Sequence, residues 1–136
     1  MAAQPAADDV GARTALVPLD FAVTARSAGR VVIVTVQGEC DLSRTEDLRI
    51  ALDAALDDGG TTGLIVDLSE AELFDSTSLG TLMAAWKKAQ RLGTPVLTVA
   101  TNPSVLLPFE IAGLVGLLMV VGSLGEAFAA LRRSEP

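Results

Sequence analysis

Two β-branched, apolar runs stand out along the chain. Val31-Val32-Ile33-Val34-Thr35-Val36 is a strand by composition. Gly63 to Leu68 is a second strand, and its nearly continuous apolar character predicts cover on both faces. Phe21, Val23 and Ala25 alternate with Ala22, Thr24 and Arg26, the pattern of a half-buried strand, and Ala28-Gly29 turns it into the first run as a hairpin. Pro95 to Ala100 predicts another buried strand, and Leu117 to Val121 a last short one.

Between these runs the period changes to that of a helix. Leu48, Leu52, Ala55 and Leu56 share one face, behind a Ser43-Arg44-Thr45-Glu46 capping box and before Asp57-Asp58-Gly59-Gly60. After Leu68 the acidic stretch Ser69 to Leu73 reads as a short turn, with Asp67 closing the strand and capping that turn. A helix then carries Leu79, Leu82, Met83, Trp86 and Ala89 on its inner face and stops at Gly93. Asn102-Pro103 opens a third helix, within which Pro108 predicts a kink. Ser123 to Arg133 is a closing helix with a second capping box, Ser123 to Glu126. The order β-β-α-β-α-β-α-β-α predicts an α/β fold. Its mixed β-sheet has an opening antiparallel hairpin, then parallel strands joined by right-handed crossovers, with about four helices. Residues 1–17 hold no periodicity and are expected to form a mobile N-terminal tail, leaving 18–136 as a single domain.

Composition narrows the function. The 136 residues carry a net charge of −7 and no basic stripe, which argues against nucleic acid and favours a basic partner surface. The chain has no histidine, which removes Ser-His-Asp and Cys-His catalysis and most zinc sites. No metal and no cofactor is expected. Cys40 is a single cysteine, consistent with a reducing, cytoplasmic compartment, and its expected role is that of a small, partly buried hydrophobe. The most apolar stretch, Ile111 to Val121, is shorter than the roughly 20 residues a membrane-spanning helix needs, so no membrane insertion is expected.

The chemistry concentrates at Asp75-Ser76-Thr77-Ser78. These hydroxyls fall where a helix leaves its first backbone N–H groups without partners, a place that favours negative charge, phosphate included. Ser76 or Asp75 is either an ordinary helix cap or part of a site where added phosphate switches a binding surface. An aspartate next to a serine is a poor general base, so an esterase-like enzyme ranks last among the function classes.

Three stretches resemble the STAS domain of bacterial anti-sigma factor antagonists. Val36-Gln37-Gly38-Glu39-Cys40-Asp41 is similar to that family's strand ending in Gly-Glu-Leu-Asp, with Cys40 in place of Leu. Val66-Asp67-Leu68-Ser69, followed by Phe74-Asp75-Ser76-Thr77-Ser78-Leu79-Gly80, is similar to its Asp-Leu-Ser and Asp-Ser-Ser-Gly-Leu-Gly, with Ser78 in place of Gly. Phe109 to Leu114 is similar to its helix ending in Gly-Leu. The resemblance spans about Asp20 to Leu131 and implies a regulatory, non-enzymatic protein. It implies that Ser76 is the acceptor for an anti-sigma factor with serine kinase activity. The unphosphorylated form would bind that partner and release a sigma factor, and a phosphoserine phosphatase would reset the system. Asp41, Asp75, Ser76, Thr77 and Ser78 are the expected partner-binding residues, with Ser78 either a second acceptor or an impediment to the partner. The alternative is a STAS subunit of another assembly, such as a stress-signalling scaffold or a lipid-transport ATPase complex.

Overall fold

The computed structural model describes residues 21–133; the expected tail at 1–17 lies outside them. Five strands form one sheet in the order β1-β2-β3-β4-β5. They are β1 (Phe21–Ala28), β2 (Val31–Cys40), β3 (Gly63–Phe74), β4 (Val96–Val99) and β5 (Val120–Val121). β1 pairs antiparallel with β2, and every later pairing is parallel. The helices are α1 (Thr45–Asp57), α2 (Ser76–Leu92), α3 (Pro103–Ile111) and α4 (Leu124–Arg133). This is the mixed α/β order that the pattern predicts.

Alternation along the strands sorts the core into two layers. Val34, Val36, Leu64, Val66 and Leu68 face α1, α2 and α3, which contribute Leu48, Leu52, Leu79, Leu82, Val105 and Phe109. Ile33, Ile65, Leu97 and Val99 face the other way, against Ala127, Ala130 and Leu131 of α4. Trp86 packs half-buried on the first layer, as its place on the apolar stripe predicts.

Three local expectations are corrected. First, Ser69 to Leu73 is not a turn: β3 runs on to Phe74. Its pairing with β2 slips between Thr35 and Gln37 and again between Gly38 and Glu39. Each slip inserts an extra β3 residue, so its buried positions fall at Leu68, Ala71 and Phe74 while β2 alternates in and out from Val34 to Cys40. Asp67 therefore lies within the strand, and its Oδ1 accepts the Ser69 N–H at 3.0 Å across the first bulge.

Second, the Ser43 capping box does not form. Asp41 instead caps a 3₁₀ turn, Leu42–Arg44, and α1 starts at Thr45 with no side-chain cap. Glu46 pairs with Arg49 instead of reaching back. The α3 helix is continuous across Pro108, whose ring removes the N–H that the Ser104 carbonyl would otherwise receive. Third, β5 is only two residues long, because Met119 enters the left-handed region with φ 47° and ends a turn that starts at Leu114. The second capping box forms in part: Ser123 Oγ accepts the Glu126 N–H at 3.1 Å, while the Glu126 carboxylate accepts the N–H of Gly122, one residue before the cap, at 3.3 Å.

Candidate functional site

The parallel strands deliver the ends of β2 and β3 side by side at one edge of the sheet. The long, bulged β3 is what brings Phe74 level with Cys40, the last pair in the register. Phe74 is anchored by its ring, stacked on Phe109 of α3 at 5.9 Å. The Asn102 side chain, which caps α3, also donates to the Ala71 carbonyl at 3.4 Å. The chain therefore enters α2 from a rigid support.

Asp75 is the N-cap of α2. Its backbone is extended, and its Oδ1 accepts the Ser78 N–H at 2.8 Å. Because Asp75 does the capping, the Ser76 hydroxyl is left over. Ser76 and Thr77 are exposed, and the Ser76 Oγ has no hydrogen-bond partner among the described residues. The backbone N–H groups of Ser76 and Thr77 also lack an acceptor there, as the first turn of a helix requires. An exposed primary hydroxyl thus sits over two unpaired N–H donors at the positive end of a 17-residue helix.

Asp41 follows Cys40 directly and shares this edge. Its Oδ1 accepts the Ser43 hydroxyl at 2.6 Å and the Ser43 N–H at 3.1 Å. The Ser43 bond holds the Asp41 carboxyl below its ordinary pKa. Arg44 lies over the Phe21 ring at 5.3 Å and donates to the Glu39 carbonyl at 3.2 Å. Exposed Glu39, Glu70 and Glu72 extend the negative edge, whereas Lys87, Lys88 and Arg91 lie toward the far end of α2.

Ser78, by contrast, is fully buried and turned inward from the exposed Ser76 and Thr77. Its hydroxyl lies 2.8 Å from the Cys40 carbonyl, 2.9 Å from Asp75 Oδ1 and 3.3 Å from Cys40 Sγ. Cys40 and Ser78, which both depart from the resembled sequence pattern, therefore touch each other. Burial, partly offset by the Ser78 hydroxyl, pushes the Cys40 thiol pKa up, so it stays protonated and inert.

Two features escaped the sequence reading. Leu42, beside Asp41, is 70% exposed and offers an apolar contact within the acidic edge. Next to Thr77, an open groove of about 390 Å³ runs between α1 and α2, lined by Arg49, Asp53, Gly80, Thr81 and Ala84. A side chain at Gly80 would meet nothing within 4 Å, so packing inside the chain does not require glycine there. Glycine in a helix interior costs about 1 kcal/mol relative to alanine, and a close approach from outside is what it permits. A glycine inside a helical stripe was the signal in the sequence. Among the described residues, no group of three or more Cys, Asp or Glu side chains is placed to hold a metal ion. No helix among them is long and apolar enough to cross a membrane.

The geometry agrees with known proteins over most of the chain. Residues 23–121 match the family model described as "Mlab, STAS domain". An anti-sigma factor antagonist from Mycobacterium paratuberculosis superposes with a TM-score of 0.75 at 27% identity, over 82% of this chain and 94% of that one. The phosphorylated form of SpoIIAA, a Bacillus cell fate determinant, aligns with a TM-score of 0.60 at 21% identity, over 81% of this chain and 99% of the other. A serine-to-glutamate variant of Moorella thermoacetica RsbS aligns with a TM-score of 0.70 at 20% identity, over 82% and 95%. At those lower identities the likeness concerns the fold. With the family model matching well over half of its length, the chain belongs to the STAS-domain family.

Proposed function

We propose that this protein is an anti-sigma factor antagonist whose Ser76 is a phosphorylation switch. In the unphosphorylated form it binds an anti-sigma factor with serine kinase activity and so frees a sigma factor. Phosphate on Ser76 ends that binding, and a phosphoserine phosphatase restores it. The observation that carries the proposal is the division of labour at the start of α2: Asp75 caps the helix, leaving the Ser76 hydroxyl exposed and unpaired. The likeness to anti-sigma factor antagonists supports the same role.

The physics of the switch is local. Phosphorylation adds about −1.5 to −2 charge. The unpaired N–H groups of Ser76 and Thr77 can take up part of it, so the fold tolerates the change. A partner that seats against Ser76, Thr77, Asp41 and the Asp75 edge meets new repulsion and a desolvation cost. A loss of about 1.4 kcal/mol already weakens binding tenfold. Enzymatic use of Ser76 has little support, since Asp75 Oδ1 is engaged by Ser78 and the chain holds no histidine to serve as base.

The test is a pull-down from source-cell lysate with wild type beside Ser76→Asp, the retained proteins being identified by mass spectrometry. The proposal expects a kinase-like anti-sigma factor held by wild type and released by the variant. A second reading, a STAS subunit of another assembly, draws on the matching family model, which bears the name of a different STAS protein, Mlab. It expects both baits to retain the same transport ATPase or scaffold. That result would reduce Ser76 to a helix-start residue.

A further inference from the structure

We infer that Ser78 is a positioning residue that couples the charge state at Ser76 to the Asp41 loop; the biological use of this coupling rests on the switch proposed above. A serine hydroxyl has one proton to give and lone pairs to receive with. The buried Ser78 hydroxyl faces two acceptors at nearly equal distance, the Cys40 carbonyl at 2.8 Å and Asp75 Oδ1 at 2.9 Å. The Cys40 Sγ, 3.3 Å away on the same strand end, is a further and weaker acceptor. The hydroxyl therefore has two discrete arrangements, one bonded to β2 and one bonded to the α2 cap.

Each acceptor belongs to a different part of the site. Cys40 is bonded covalently to Asp41, and Asp75 to Ser76. Apart from Ser78, the Cys40 carbonyl is held here by the Asp75 N–H, at a long 3.3 Å. Negative charge added at Ser76 makes the potential around Asp75 more negative. That favours the arrangement in which Ser78 donates to the carboxylate rather than to the neutral carbonyl. The Cys40 carbonyl then keeps only the long bond from the Asp75 N–H, and the Asp41–Arg44 turn that follows it loosens. Such a hydroxyl is a two-state element biased from one end and read at the other, which is what a physical coupling requires. A residue without a hydroxyl at this position has no such choice to make.

The experiment needs no partner. Amide chemical shifts are measured in the isolated full chain for wild type, Ser78→Ala and Ser78→Thr, each with and without Ser76→Asp. Ser76→Asp is expected to shift the Asp41, Leu42, Ser43 and Arg44 amides in the wild-type background. The shift is expected to disappear with Ser78→Ala and to return with Ser78→Thr, which restores the hydroxyl. Ser78→Gly, which also removes it, must behave as Ser78→Ala does. Unchanged amides at Leu64, Ile65 and Val66 certify the fold in every variant. An equal response with and without the Ser78 hydroxyl, or no response in wild type, overturns the inference. Failure of the switch itself would appear separately, as Ser76→Asp retaining its partner.

Discussion

Helices α2 and α4 both begin with a serine at the start of an apolar stripe, yet the two serines do opposite things. At α4, Ser123 is itself the cap: its Oγ accepts the Glu126 N–H, and Glu126 closes the motif on the other side. At α2 the cap is Asp75, and Ser76 stands one residue further on with its hydroxyl unspent. The start of α4 is a closed device that only stabilises. The start of α2 is stabilised by one residue and leaves its neighbour available for chemistry. α3 follows the capping pattern of α2, with Asn102 as cap, but there the next residue is Pro103 and the nearby Ser104 hydroxyl is bonded back to Asn102 at 2.9 Å. What distinguishes Ser76 is therefore not its residue type but the freedom that Asp75 gives it.

Breaking the comparison should give graded effects. The largest is expected from Ser76→Asp, which should lower affinity for the anti-sigma partner by tenfold or more, a loss above about 1.4 kcal/mol in a titration calorimetry comparison with wild type. Asp75→Ala removes the cap from two donors at once and should cost about 1–2 kcal/mol in urea unfolding while also weakening the partner. Ser123→Ala should cost about 0.5–2 kcal/mol in the same assay and leave partner affinity unchanged. Ser76→Ala should alter stability by less than about 0.5 kcal/mol, since its hydroxyl holds nothing, and should retain the partner persistently. Equal stability losses for Ser76→Ala and Ser123→Ala would erase the distinction between the two helix starts.

A pH titration sharpens the picture at Asp41. Its carboxyl is depressed by the bond from Ser43, so the turn's stabilisation is present above the unfolded aspartate pKa and is lost as pH falls through the lower folded value. The Ser43 amide resonance should therefore titrate with a midpoint below the ordinary aspartate range, of about 3.9. A midpoint at or above that range would mean that the Asp41–Ser43 turn is not formed in solution.

Much of this was legible in the chain, and the failures have a common cause. Among the described residues, periodic runs and the Asn102-Pro103 cap located the five strands and four α-helices, because burial on one face leaves a periodic trace, but not the 3₁₀ turn at Leu42–Arg44. The β2–β3 pairing hid itself: two bulges turn the core face of β3 into a three-residue rhythm, Leu68, Ala71 and Phe74, which mimics a polar turn. Ser43 to Glu46 satisfied a capping pattern, but Asp41 reached the donor first and set a 3₁₀ turn ahead of α1. At the site, Asp75, Ser76 and Thr77 occupy the predicted helix start, whereas Ser78 turns inward. Whether a hydroxyl three residues past the cap points in or out depends on what lies beneath it, and here that is Cys40, 38 residues away in sequence. Local pattern carries no information about such a contact.

The central claim is that Ser76, and not its neighbours, carries the switch. Its most direct test is to incubate the purified chain with ATP and source-cell lysate and map phosphate along the Asp75–Ser78 segment by mass spectrometry, with Ser76→Ala beside it. Phosphate on Ser76 of the wild type, with none on Ser78 and none anywhere in the segment of Ser76→Ala, is the predicted result. Phosphate that persists in Ser76→Ala at Thr77 or Ser78, or a wild-type segment that is never modified, would contradict it.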